Sequence, residues 1–237
     1  MTGQQKRTEG AEAGAAPGEF LLVDKPKTWT SFDVVHKIRR SYRVRRVGHA
    51  GTLDPLATGL LIICTGKKTK QLQDFQGLEK EYEALMELGA QTPSYDAESE
   101  VSERRSLEGV TADRVRDVMA GFVGTQSQIP PLWSAVKVRG RRLYDYARRG
   151  EAVERLPRQI TIASIVPTRV DLPLVGFTVV CSKGTYVRTL VHDIGERLGC
   201  GAYLRELRRT RIGTYHVRDA RTVEELVRAR RVEGEAG

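Results

Sequence analysis

Between Gly48 and Gly59 the chain reads Gly-His-Ala-Gly-Thr-Leu-Asp-Pro-Leu-Ala-Thr-Gly. One carboxylate, Asp54, stands there among three glycines, a proline and one histidine. Glycine and proline punctuate a chain this densely where the backbone must take unusual angles or lie close to a ligand. Arg45 and Arg46 come just before, and an apolar run over residues 60–64 follows. An acid held in such a loop is placed for chemistry on a negatively charged substrate.

The rest of the chain supports an anionic partner. Its 237 residues suffice for one large domain or two small ones, and 40% hydrophobic residues sustain a core. Lys plus Arg number 39 against 30 Asp plus Glu, a net charge of +9. Among anionic partners of basic chains, nucleic acid is the commonest. The positive charge gathers at residues 39–46, 139–149, 205–211 and 228–231, while acid concentrates over 79–108. Tyr42, Tyr144, Tyr146 and Tyr203 lie inside or beside the basic runs. Arginine beside tyrosine suits phosphate pairing with base stacking, although tyrosines at helical spacing also serve as core.

Other classes are disfavoured. Cys64, Cys181 and Cys200 are an odd count without a C-x-x-C, which points to a reducing compartment and no disulfide framework. His36, His49, His192 and His216 make no metal-ligand spacing with them, so no metal site is expected. No apolar run approaches the roughly 18 residues of a membrane span. The N-terminus lacks an apolar signal core, so a cytoplasmic protein without membrane contact is expected.

Patterning predicts an α+β fold. Residues 1–18, rich in Ala, Gly, Gln and Glu, read as a disordered tail. Strands are predicted at 20–23, 60–64, 82–88, 135–138, 160–170, 176–182 and 204–213. Thr30 or Ser31 caps a helix to residue 42, and Thr111 caps another to 119 with Val115 and Val118 inward. Further helices are predicted after Gly66, at 142–149, at 186–198 closed by Gly199, and at 223–230. Residues 91–100 read as a turn-rich connection and 124–131 as irregular. Residues 126–157 read as a basic insertion, with an ordinary surface hairpin as the alternative.

Taken in order, these motifs resemble the TruB-type pseudouridine synthases. Residues 48–61 resemble that family's catalytic motif, Asp24-Lys25-Pro26 its N-terminal motif and Lys80-Glu81-Tyr82 its tyrosine motif. Gln128-Ile129-Pro130-Pro131, Ser134-Ala135-Val136-Lys137 and Leu143-Tyr144-Asp145-Tyr146-Ala147-Arg148 resemble its insertion. Gly184-Thr185-Tyr186-Val187-Arg188-Thr189-Leu190 resembles its arginine motif, and Tyr203-Leu204-Arg205-Glu206-Leu207 with Arg208-Arg209-Thr210 its last motif. The resemblance spans residues 20–213. It implies a central mixed, mainly antiparallel sheet flanked by helices. The implied layout is a tail at 1–18, a catalytic domain at 19–213 with an RNA-binding insertion at 126–157, and a short segment at 214–237 without a full PUA domain.

The same resemblance implies the activity: isomerisation of uridine to pseudouridine in the T-loop of tRNA. The bond from ribose C1′ to uracil N1 is cleaved, the base turns, and C1′ joins C5. An isomerisation of this kind needs no cofactor. The resemblance assigns the nucleophile or base to Asp54, paired with Arg188, and stacking on the extruded uracil to Tyr82, with a part in removing the C5 proton. It gives His49 a contact to the RNA backbone, Lys25 and Pro26 a bracing role with Lys25 also meeting phosphate, and Tyr186 and Leu204 the lining of the uracil pocket. Arg141 and Arg142, in the insertion, would bind RNA. The partner is the tRNA T-arm stem-loop, with no obligate protein partner and a monomeric enzyme.

Two departures stand out. Gln91-Thr92-Pro93-Ser94-Tyr95-Asp96 replaces the family's usual Thr-x-Thr-x-Asp followed by glycine, with no glycine until Gly109, and Trp133 stands where tyrosine is common. Two other functions remain open at this point: a guide-RNA-dependent box H/ACA-type subunit, and a non-catalytic RNA-binding or RNA-folding protein on the same scaffold.

Overall fold

The computed structural model describes residues 18–235, so the tail expected at the N-terminus lies, but for Gly18, outside the described residues. The chain begins with β1 (Phe20–Lys25), α1 (Ser31–Ser41), β2 (Val47–Ala50) and β3 (Thr58–Thr65). A 3-10 turn (Gly66–Gln71) leads into α2 (Leu72–Gly77), β4 (Lys80–Leu88), β5 (Ala90–Gln91), β6 (Glu103–Arg104) and α3 (Ala112–Ala120). Then come β7 (Gly124–Gln128), β8 (Lys137–Val138), β9 (Arg141–Arg142), α4 (Leu143–Arg149), β10 (Arg158–Asp171) and β11 (Leu174–Cys181). The last elements are α5 (Val187–Leu198), β12 (Ala202–Ile212), β13 (Tyr215–His216), β14 (Arg221–Thr222) and α6 (Val223–Glu235).

Ten strands form one sheet in the order β14-β1-β3-β12-β4-β11-β10-β7, with β13 added to β12 and β2 to β3. Pairing is antiparallel except at β1–β14 and β3–β12. This is the α+β class expected from the patterning, with the mixed, mainly antiparallel sheet that the resemblance implies. β3 explains why its sequence is a continuous apolar run. Leu61 and Ile63 enter one core with α1 and α6, while Leu60, Ile62 and Cys64 enter another on the opposite face. A strand covered on both faces cannot alternate apolar with polar. The largest core lies between β4, β10, β11 and β12 and the helices α3 and α5.

Helix ends follow their caps. Thr30 and Asp33 form a reciprocal capping box at α1, Thr111 accepts from Arg114 N at α3, and Gly199 closes α5 in the left-handed region at φ 82. In α3 the fully buried positions are Val115 and Met119, with Val118 half-buried. Three local expectations are corrected. Residues 124–128 are a strand, β7, which pairs with the edge of β10. The insertion therefore leaves the sheet after Gln128 and rejoins it at Arg158. Gly48, His49 and Ala50 belong to strand β2, so the Asp54 loop starts only at Gly51. Apolar alternation was too weak to betray either short strand; each is held by a longer neighbour. Residues 214–235 join the fold, with the predicted terminal helix present as α6: β14 pairs with β1, and α6 packs Val223, Leu226 and Val227 against α1. Among the described residues no helix is long and apolar enough to cross a membrane.

Candidate active site

Asp54 lies in the turn that joins β2 to β3, and its backbone is fixed from two sides. Arg209, 1% exposed, donates through Nε to Leu60 O at 2.7 Å, through Nη2 to Gly51 O at 3.1 Å and through Nη1 to Thr52 O at 3.5 Å. Lys25, fully buried, donates to Pro26 O at 2.9 Å, Trp29 O at 2.5 Å and Pro55 O at 3.2 Å. Ser31 Oγ accepts from Leu53 N at 2.9 Å, and Thr28 N donates to Pro55 O at 2.9 Å. Buried cations with saturated donors act here as struts, because each carbonyl they hold would otherwise be left unpaired. Glycine is needed at two points. Gly51 sits at φ 84, and a Cβ on Gly59 would fall 2.3 Å from Arg209 O, where β3 and β12 run close.

The Asp54 carboxylate meets Arg188, the second residue of α5. Nη2 donates to Oδ1 at 3.2 Å, and Nε lies 3.1 Å from Oδ2 as an ionic contact too oblique for a hydrogen bond. The same guanidinium donates to Trp133 O at 2.7 Å and Ser94 O at 3.3 Å and stands 3.7 Å from Asp96 Oδ2. Asp96 is buried and accepts from Ser94 Oγ at 2.6 Å and Glu98 N at 3.0 Å. One arginine thus joins the Asp54 loop, the turn after β5 and the insertion. Its side chain is 4% exposed, whereas that of Asp54 is 36% exposed and opens into a cleft. Burial pushes the Asp54 carboxyl above the usual carboxylate range, Arg188 opposes that rise, and Asp96 adds to it.

The cleft is about 700 Å³ and brings together Asp54, Arg188, Tyr82, His49 and Tyr186. Tyr82, buried on β4, lies against the Arg209 guanidinium; burial raises its phenol pKa, so the hydroxyl is protonated at neutral pH. Burial lowers the His49 pKa, which leaves a neutral imidazole on β2 facing the cleft. Tyr186 is fixed by a reciprocal pair: its N donates to Gln128 Oε1 at 2.8 Å and its O accepts from Gln128 Nε2 at 3.1 Å.

Some expected residues lie elsewhere. Leu204 is 4% exposed in the main core and not along the cleft. Along β12, Leu204 faces Met86, Leu207 faces Ala84 and Arg209 faces Tyr82, with a bulge between Leu204 and Glu206. That bulge puts Leu204 and Leu207 on one face, and Leu207, nearer Tyr82, lines the cleft. The Lys25 ammonium is enclosed by three carbonyls, a position that suits bracing. Pro26 supplies one of them. Arg141 and Arg142 sit on the β8–β9 hairpin outside the cleft wall. Arg141 pairs with Glu151 at 2.7 Å and covers the Tyr146 ring at 4.9 Å, and Arg142 donates to Tyr144 Oη at 2.8 Å.

Sequence reading missed Arg209, Asp96, the cationic rim of Arg158 and Lys183, and Lys80, which lines the cleft but is buried with its ammonium on Gln76 O and Leu78 O. Arg209 was only one of three consecutive motif residues, and Asp96 was noted only as part of a divergent turn. Burial lowers Lys80 to about 8. Among the described residues no group of three or more His, Cys, Asp or Glu is arranged to hold a metal ion.

The chain is similar to known proteins. Residues 39–187 match the family described as TruB family pseudouridylate synthase (N terminal domain), and residues 188–235 match the tRNA pseudouridylate synthase B C-terminal domain. The division between the two matches falls inside α5, between Val187 and Arg188, where the fold has no break. A tRNA pseudouridine synthase B of Chloroherpeton thalassium is 47% identical over 215 residues, covering 89% of this chain and 89% of its own. One from Opitutus terrae is 50% identical over 206 residues, covering 87% and 86%. Among solved structures, a chain of a Cbf5-Nop10-Gar1 complex superposes with a TM-score of 0.68 at 32% identity over 88% of this chain. The match spans about half, 53%, of that longer chain. A chain of an H/ACA RNP bound to a substrate RNA superposes with a TM-score of 0.69 at 29% identity over 92% of this chain, and the match spans 55% of that chain.

Proposed function

The chain belongs to the TruB family of pseudouridylate synthases, an isomerase family, and from that premise we propose that it converts uridine to pseudouridine in the T-loop of tRNA, unaided by a guide. The observation that carries the reading is the fork of Arg188 on Asp54 at the floor of a cleft that also holds Tyr82. The target nucleotide leaves its stack and enters this cleft. Unstacking costs a few kcal/mol, and a ring face such as that of Tyr82 offsets part of it. Asp54 then acts on the sugar or on the base. Attack at C1′, attack at C6 and proton removal at the 2′ position all require the same ionised carboxylate, and Arg188 keeps it anionic against desolvation.

The remaining groups follow from their states. A protonated Tyr82 presents its ring and a hydroxyl donor rather than a phenolate. A neutral His49 contacts RNA through hydrogen bonding rather than charge. The rim cations, with Arg141 and Arg142 on the insertion, attract the phosphates flanking the extruded base. The enzyme works as a cytoplasmic monomer. A guide-dependent reading draws on the Cbf5 superpositions, but identity is higher, 47% and 50%, to the relatives named as tRNA pseudouridine synthase B than to those chains. A T-arm transcript incubated with protein alone and analysed for pseudouridine by chemical mapping tests this. Product without guide RNA is expected. Product only with a guide, or binding without product, overturns the reading.

A further inference from the structure

A second concave site lies on the far side of the catalytic loop. α1 and α6 pack through Val34, Val35 and Ile38 against Leu226 and Val227, and Arg230 covers the Tyr42 ring at 5.1 Å. Apolar contact on one side leaves the polar sides of both helices turned to a shared pocket of about 820 Å³. Into it converge His36, Lys37, Arg40 and Arg43 from α1 and its end, and Arg231 from α6. Asp33 is the one acid in the lining, and it is spent on the helix cap, accepting from Thr30 N at 2.8 Å and Thr30 Oγ1 at 2.7 Å. Among the described residues none of Lys37, Arg40, Arg43 and Arg231 forms an ion pair. A helix C-terminus accounts for Arg40 and Arg43. It does not account for Arg231, which arrives from another element and adds like charge to the same hollow.

The pocket is tied to the catalytic loop. Thr28, at its mouth, donates its N–H to Pro55 O, next to Asp54, and Trp29 forms part of its wall while its carbonyl holds Lys25. Thr28 and Arg43, at the two ends of α1, both sit in the left-handed region at φ 73 and φ 51, conformations that non-glycine residues keep where the surroundings impose them. The cations from Lys37 to Arg43 extend over about 9 Å at 1.5 Å per residue, a span longer than a single phosphate. An indole beside them offers a face to a base.

We infer that this pocket is a second RNA site, which grips the sugar–phosphate backbone of the same substrate away from the nucleotide held in the cleft. The inference rests on the proposal that RNA is the substrate. The test compares the intact protein with the triple variant Lys37→Ala/Arg40→Ala/Arg231→Ala on full-length tRNA, by equilibrium binding across a salt series and by turnover at saturating tRNA. Weaker binding is expected, with the slope of log K against log salt shallower by roughly 2–3, at 0.7–0.9 for each phosphate no longer neutralised, and kcat unchanged. Unchanged affinity and slope, or a fall in kcat at saturation, overturns the inference. With Trp133→Phe leaving Trp29 as the one tryptophan fluorophore, equal protection of its fluorescence by a mononucleotide and by tRNA also overturns it, because the pocket would then take single phosphates. Should the triple variant fold poorly, Arg231→Glu alone, at an exposed position, is expected to weaken tRNA binding, and unchanged binding by that variant overturns the inference equally. The two readings separate cleanly. If the intact protein makes no pseudouridine yet the variant loses tRNA affinity, the pocket stands and the chemistry falls.

Discussion

The floor of the cleft and the insertion use arginine in opposite ways. At the floor, Arg188 and Arg209 are 3% and 1% exposed and bind protein carbonyls and carboxylates. On the insertion, Arg141, Arg142 and Arg148 lie over the rings of Tyr146 and Tyr144 with their heads near solvent. A buried guanidinium that holds carbonyls of several elements freezes a backbone. An exposed one resting on a ring is held loosely and can be re-aimed at a phosphate. Chemistry needs the first, since misplacement by about 1 Å can cost roughly 100-fold in rate. Capture of a flexible RNA suits the second.

The sharpest way to break this contrast is Asp54→Asn. Turnover is expected to vanish while tRNA binding stays within a few fold, because the carboxylate offers phosphate no attraction; retained product would remove Asp54 from the mechanism. Next comes Arg188→Lys, which keeps the charge but loses the fork. We expect a drop on the order of 100-fold in kcat with the melting temperature less affected. It also sharpens the pH question. Burial already holds Asp54 above the ordinary carboxylate range, and activity needs the anion. The acid limb of kcat/KM is therefore expected above that range in the intact protein, and higher still once the Arg188 contribution is weakened. A limb at ordinary aspartate pH in both proteins would contradict this.

Lys25→Met tests the floor as a strut. It strands the carbonyls of Pro26, Trp29 and Pro55, at a cost of about 1–3 kcal/mol, and denaturant unfolding measures it. Lys25 is held at about 8 in the folded state against 10.5 unfolded, so the folded state binds fewer protons between these values. Its contribution to stability accordingly rises with pH across that window, and the variant is expected to lose the rise. The smallest effect belongs to the insertion. Arg141→Ala/Arg142→Ala is expected to leave kcat alone and reduce the salt slope of tRNA binding by roughly 1.4–1.8, at 0.7–0.9 per phosphate. A loss of kcat there would mean that the insertion is as rigid in function as the floor.

Much of the local structure was legible from the chain alone. The capping box at Thr30, the Gly199 stop, the two-sided apolar run of β3 and the order of motifs all depend on neighbours in sequence. β2 and β7 were not, because strands this short are specified by the partner they pair with. The turn of Leu204 into the main core was not legible either, because a bulge is invisible to a period-two count.

What the residues determined unaided is that an aspartate would stand in a glycine-punctuated turn on a basic chain, since backbone freedom and charge are properties of the residues themselves. The distance at which Arg188 meets it, and what else that arginine holds, were decided only by the assembled sheet. Arg188 reaches Asp54 across 134 positions, and Asp96 joins them from a third element. Arg208 and Arg209, adjacent on β12, part company for the same reason: strand alternation sends one to Asp24 and the other beneath the Asp54 loop. Nothing in two identical side chains selects between those faces; the pairing register with β4 does.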